Sequence, residues 1–168
     1  MKNYKFSLRD MPKRRILDNY SKKIPTLNID AVESCIILLR TASDISKIFD
    51  KHFSKYEISE GKFTILMLLY REKNYQASPI LLSKKAEVTK STMTGLIVGL
   101  EKQGFIEKIP NPCDKRSYLV ELSQKGIDML EKILPIHYEL IAKLMSPLNN
   151  KQLQEFTSLL NLLSKNLL

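Results

Sequence analysis

A chain of 168 residues with 43% hydrophobic content is long enough to bury one real core and too apolar to be wholly disordered. Only 5 glycines and 7 prolines interrupt it, which leaves long stretches for helices and favours them over a sheet-rich fold. The net charge of +9 favours anionic partners, while the longest apolar runs, Cys35 to Leu39 and Ile65 to Tyr70, fall far below the roughly 20 residues a membrane-spanning helix needs.

Most of the positive excess lies in the first 25 residues, where eight Lys/Arg (Lys2, Lys5, Arg9, Lys13, Arg14, Arg15, Lys22, Lys23) meet two Asp. Such an arm adds sequence-independent phosphate attraction when it lies near a duplex. Its other readings are a solvated extension, or a segment packed on a partner subunit through Tyr4, Phe6, Leu8, Ile16 and Leu17. The opening Met-Lys-Asn-Tyr-Lys has no apolar stretch of signal-peptide length, so a cytoplasmic protein without membrane contact is expected.

After Pro25, Asp30-Ala-Val-Glu33 resembles a capping box with Asp30 as the cap. The helix it opens places Val32, Cys35, Ile36, Leu39, Ala42, Ile45, Phe49, His52 and Phe53 at spacings of three and four, and one buried face is expected. Ser59 then stands as N-cap of a second helix, apolar over most of its circumference through Phe63, Leu66, Met67, Leu69 and Tyr70, which should be central.

A polar loop from Lys73 to Ala77 leads to Ser78, an N-cap followed by Pro79 in the first helical turn, where its missing N–H costs nothing. Ile80, Leu81 and Leu82 are expected to supply the buried contacts of this short helix, with Lys84 and Lys85 on its solvent side. Ala86-Glu-Val88 makes a turn and Thr89 caps the following helix, so the pair reads as a helix-turn-helix. In that second member, Met93, Leu96, Ile97 and Leu100 form the core stripe, which leaves Lys90, Ser91, Thr94, Gly95, Val98 and Lys102 facing outward. Small hydroxyl side chains meet base edges or phosphates, glycine lets the backbone come close, and lysines meet phosphates. Thr89 and Thr92 in the first turn complete the candidate DNA-contacting set on this helix.

Gly104 ends the helix in the left-handed conformation, and Phe105 to Ile109 reads as a strand answered by Tyr118 to Leu122. The connecting loop, Pro110 to Ser117, should expose Asp114, Lys115, Arg116 and Ser117, with Asp114 orienting the Arg116 guanidinium through a bidentate pair. Together they form a wing able to reach the minor groove. Ser123 caps a long helix bearing Ile127, Leu130, Ile133, Leu134, His137, Leu140, Ile141 and Leu144, which Pro135 should kink or interrupt. Asn149 or Asn150 starts a last helix with Leu153, Phe156, Leu159, Leu160, Leu163 and Leu167. So wide an apolar face calls for burial, either across the two-fold axis of a homodimer or within a monomeric bundle.

The runs Val88-Thr-Lys-Ser-Thr-Met-Thr and Leu100-Glu-Lys-Gln-Gly-Phe-Ile, with Asp114-Lys-Arg-Ser117 and Leu122-Ser-Gln-Lys-Gly126, resemble the winged helix-turn-helix of the multiple-antibiotic-resistance regulator (MarR) family. The pattern covers roughly residues 30 to 168. The resemblance implies a homodimeric bacterial transcription factor, usually a repressor, whose recognition helices read two half-sites and whose wings enter the minor groove. It also implies release by a small-molecule effector or by thiol chemistry near the dimer helices. Two departures stand out. Many members carry Asp-Arg where this chain has Val98-Gly99. Cys35 falls about where the organic-hydroperoxide-sensing branch places its reactive thiol, yet the positions that hold tyrosines there are Leu39 and Phe49, which cannot hydrogen-bond. Cys35 is therefore read either as a redox site or as a core cysteine, and Cys113 as an exposed wing-tip thiol.

A pocket beside the dimer helices would draw on Phe49, His52, Tyr56, Phe63, Met67, Tyr70 or His137, positions that read equally as core. No G-x-x-x-x-G-K, H-E-x-x-H or C-x-x-C occurs, and the two histidines have no ligand-spaced companions, so neither an enzyme, a cofactor nor a metal site is expected. The fold class is mainly α with a small β-hairpin wing, in which N- and C-terminal dimerisation helices flank a winged helix-turn-helix. The expected layout is a basic arm (1–28), a first dimerisation helix (29–58), the winged helix-turn-helix (59–122) and C-terminal dimerisation helices (123–168). The function is sequence-specific binding of double-stranded DNA at a pseudo-palindrome with half-sites about one helical turn apart. The alternative is a winged-helix protein-interaction module that never touches DNA.

Overall fold

The computed structural model describes residues 12–112, 114 and 116–166, which hold seven helices and three strands, and the chain divides between Glu60 and Gly61 into two units. In the first unit a short helix, α1 (Arg14–Ser21), forms within the basic arm and packs on α2 (Ile29–Ser54). Leu17 is its buried anchor, and the Arg14 guanidinium donates to Asp30 Oδ1 at 2.7 Å and Glu33 Oε2 at 2.9 Å. That hydrogen bond to Asp30, helped by the charges of Asp30 and Glu33, raises the Arg14 pKa further. These two carboxylates are thus engaged by the arm, and the cap expected at Asp30 is instead Asn28, whose Oδ1 accepts the Ala31 N–H at 3.0 Å. The arm residues before Pro12 (Lys2, Tyr4, Lys5, Phe6, Leu8 and Arg9) lie outside the described residues.

Burial along α2 departs from expectation. Only His52 and Phe53 are buried, while Ile37, Leu39 and Ile48 are exposed and Cys35 is an exposed free thiol rather than a core cysteine. Helical periodicity identifies an apolar face but is silent on whether the same chain covers it. His52 lies edge-on to Phe53 and Tyr56, with centroids at 5.1 and 5.5 Å. Burial, with a smaller contribution from Lys55, pushes its imidazole below the usual histidine range.

The second unit is built around α3 (Glu60–Tyr70), which buries Phe63, Ile65, Leu66 and Leu69. Its Phe63 meets His137 edge-on at 5.0 Å. A 3-10 turn (Lys73–Tyr75) and a two-residue strand, β1 (Gln76–Ala77), occupy the segment expected to be a loop. The order continues with α4 (Pro79–Lys85), α5 (Lys90–Lys102), β2 (Ile106–Pro110), β3 (Tyr118–Leu122), α6 (Gln124–Met145) and α7 (Asn150–Lys165). The antiparallel sheet has the order β1-β3-β2, with Ile106 opposite Leu122, Pro110 opposite Tyr118 and Gln76 opposite Glu121. Leu82, Met93, Ile97, Leu100, Ile106 and Val120 are all at most 1% exposed, so helix-turn-helix and sheet bury side chains in the same unit.

The start of α6 is tied to the joint between α5 and β2. Ser123 Oγ accepts the Gly126 N–H and donates to the Gly104 carbonyl at 2.7 Å, while the Ser123 N–H donates to the Phe105 carbonyl at 3.1 Å. Lys125 donates to the Gln103 carbonyl and lies over the Phe105 ring. Gly104, at φ +72°, supplies the left-handed residue this corner requires. Gly126 is held so close that a Cβ would run into the Phe105 carbonyl oxygen. Of the kink or interruption expected at Pro135, the interruption does not occur, since the helix of Ser123 continues through it, and Asn149 opens α7 with a full capping box to Gln152. No helix of the described residues is long and apolar enough to cross a membrane.

Candidate nucleic-acid interface

Four local devices aim α5. Ser78 Oγ accepts the Leu81 N–H at 3.2 Å and starts α4. The turn is closed by Ser83, which donates to the Val88 carbonyl at 2.6 Å and accepts the Val88 N–H on its own carbonyl at 3.2 Å. Between them Glu87 takes the left-handed conformation, φ +52°, that the reversal needs. Thr89 Oγ1 then accepts the Thr92 N–H at 3.2 Å and starts α5. The same hydroxyl lies 3.0 Å from Ser91 Oγ and 2.9 Å from Thr92 Oγ1, so three hydroxyls at the head of α5 are ordered against one another before any ligand arrives.

α5 inserts Met93, Ile97 and Leu100 into the core, with Leu96 half-buried, while Lys90, Ser91, Thr92, Thr94, Gly95, Val98 and Lys102 are exposed, as is its cap Thr89. The Thr94 hydroxyl donates to the Lys90 carbonyl at 2.9 Å, which leaves its oxygen as an acceptor and its methyl for apolar contact. At Gly95 an added Cβ would meet nothing within 4 Å. A mid-helix glycine costs about 1 kcal/mol relative to alanine, and nothing inside the protein asks for it. We expect Gly95→Ala to raise the thermal midpoint by about 3 °C and to weaken duplex binding, two changes of opposite sense that calorimetry and a titration together would check.

Arg116 extends from the β2-β3 loop with its side chain 94% exposed. Asp114 holds it differently from the expected bidentate pair. Its Oδ1 accepts the Arg116 backbone N–H at 3.0 Å and makes one longer contact, 3.6 Å, to Nε. A carboxylate turned toward its own backbone in this way cannot also offer both oxygens to the guanidinium plane. The Asp114 carbonyl accepts from the Ser117 N–H and hydroxyl, and Asn111 donates to the Ser117 hydroxyl at 2.9 Å, so the loop is braced from within. Lys115 and Cys113 lie outside the described residues.

Two features had no sequence signal. Lys62 of α3 lies over Gly99 and donates to Gln103. It brings a cation to the Val98-Gly99 position, and a partner 37 residues away in sequence has no spacing rule to announce it. Ile80 and Leu81, expected inside, are exposed, and only Leu82 of the three is buried. A seven-residue helix presents one narrow stripe to the core, and adjacent residues point about 100° apart, so three in a row cannot share it. Elsewhere cations are engaged within the protein: Lys85 with Glu72, and Lys108 with Glu101 at 2.6 Å, a hydrogen bond that raises the Lys108 pKa. Neither Lys90 nor Lys102 has a carboxylate at ion-pair distance among the described contacts.

Comparison with known proteins places this geometry. The MarR family model matches residues 58–118. The HTH-type transcriptional repressor YetL of Bacillus subtilis is 31% identical over 153 residues, spanning 91% of this chain and 92% of that one. AbsC, a MarR family transcriptional regulator from Streptomyces coelicolor, superposes with a TM-score of 0.78 at 16% identity, covering 84% of this chain and 96% of that one. A second regulator of that family from the same organism, solved in complex with DNA, gives a TM-score of 0.78 at 17% identity over 94% and 92% of the two chains.

Proposed function

We infer that this chain, which belongs to the MarR family, is a DNA-binding transcription regulator, a repressor working in the cytoplasm as a homodimer on a pseudo-palindromic operator. The observation that carries the reading is the division of α5 into a buried apolar stripe and an exposed face of hydroxyls, glycine and lysine, in the same unit as a wing that exposes Arg116. A helix of this kind fits the major groove, and an arginine on a ribbon fits the narrower minor groove with its stronger negative potential. Lys90 and Lys102 mark the two ends of the exposed face, so phosphate contacts bracket the base-reading positions Ser91, Thr94, Gly95 and Val98.

Dimerisation is supported by α7, which buries no residue of its own and exposes Phe156, Leu159, Leu162 and Leu163. An apolar face of that extent is stabilised by covering it with a second copy, and a two-fold pair of recognition helices then sets the half-site spacing. Selection of bound genomic duplexes followed by footprinting tests the reading, because it reports binding, symmetry and spacing together. Arg116→Ala should weaken operator binding about tenfold and reduce the slope of log affinity against log salt by about 1. Salt-insensitive association, or none, would transfer the winged helix to protein recognition instead.

A further inference from the structure

A notch lies between α4 and α5, lined by Pro79, Ile80, Lys90, Met93 and Thr94. Its volume of about 160 Å³ is below the roughly 300 Å³ at which small-molecule sites begin, so it is no effector pocket. Ile80 on its wall is 72% exposed, more than any other large hydrophobic side chain among the described residues. An isoleucine showing that much surface from the first turn of α4 contributes nothing to the core. Met93, only 1% exposed, is part of the lining, and Thr94 adds a methyl because its hydroxyl proton is given to the Lys90 carbonyl. The wall is therefore largely apolar, with one ammonium group, that of Lys90, beside it.

Lys90 and Thr94 belong both to this notch and to the exposed face of α5, so the notch borders that face. The lysine suits an occupant that is anionic on one side, and the isoleucine one that is apolar on the other. A duplex meets both demands at one place: the 5-methyl group of thymine is the apolar group that a base pair presents in the major groove, and phosphates line the groove's edge. Resting on the reading of α5 as the groove-facing helix, we propose that Ile80 is a specificity-determining residue and that the notch seats a thymine methyl. The operator half-site then carries a required thymine read from α4, in addition to the bases read from α5.

The test uses the full chain and its selected operator, with thymines replaced one symmetry-related pair at a time by deoxyuridine, which lacks only the methyl group. The wild-type protein should lose about fourfold in affinity per half-site at one such pair, the weight of one buried methyl. Ile80→Ser should bind the unmodified operator more weakly and show no further loss on deoxyuridine substitution at that pair, whereas Ile80→Val should keep most of the discrimination. Circular dichroism of the variants establishes that they are folded, as an exposed position leads one to expect. Wild-type protein that binds its operator with a steep salt dependence yet ignores deoxyuridine everywhere would overturn the assignment. So would an Ile80→Ser variant that retains the full penalty. If the wild-type chain binds no duplex in a salt-dependent way, the DNA-binding reading falls, and the notch assignment with it.

Discussion

Gly126→Ala should lower the thermal midpoint by about 10 °C, an effect of about 3 kcal/mol for a chain of this size. The reason is steric and local. The added Cβ would strike the Phe105 carbonyl oxygen, with the carbonyl carbon at 3.1 Å and Leu122 Cδ2 at 3.2 Å, and the first two are backbone atoms that no rotamer change can move aside. That carbonyl also accepts the Ser123 N–H, so displacing it disturbs the joint at which α5 ends, β2 begins and α6 starts. Wing and recognition helix both hang from this joint, and DNA affinity should fall even at temperatures where the variant remains folded. Gly95→Ala is the matched control: the same chemical change, at a site where the Cβ meets nothing, is expected to raise the midpoint. Scanning calorimetry of the two variants side by side gives the result, and a Gly126→Ala protein as stable as the parent would show that α6 can retreat from Phe105 without cost.

Leu159→Glu combined with Leu163→Glu should convert the protein to monomers and weaken operator binding by about a hundredfold. Both side chains are more than half exposed, at 60% and 52%, on a helix with no buried residue, so the substitutions remove little from the fold of a single chain. Four carboxylates brought together at a two-fold interface would instead repel one another in a desolvated setting. Sedimentation velocity reads the association state, far-ultraviolet circular dichroism the helix content, and titration with operator and with an isolated half-site the consequence for binding. Operator affinity should collapse toward half-site affinity, because the second recognition helix is no longer delivered at high effective concentration. A variant that remains dimeric would place the interface elsewhere in the chain.

Short-range physics made much of this architecture readable. The caps Ser78, Thr89, Ser123 and Asn149 are found where side-chain oxygens precede apolar periodicity, since each satisfies an amide only three residues away. The stripe of Met93, Ile97 and Leu100 follows likewise from the period of the helix. These local rules sufficed for the order of the six helices from α2 to α7 and of the two hairpin strands, and for the exposed side of α5.

Other features depended on surfaces brought together from distant parts of the chain. Asp30 has the composition of a cap but is claimed by Arg14, sixteen residues earlier, and Asn28 caps in its place. β1 is two residues long and has no period to detect, existing because Val120 and Glu121 offer it partners. Lys62 reaches Gly99 because α3 crosses there, and Ile80 is exposed because α4 can turn only one residue of its apolar triplet inward. Amino-acid order alone was therefore sufficient for the caps at Ser78, Thr89, Ser123 and Asn149 and for which residues share a helix face, because those interactions close within one or two turns. Which of those faces is covered, and which apolar side chain is left exposed, was decided by tertiary structure, because burial is a property of the neighbours that arrive and not of the residue that waits for them.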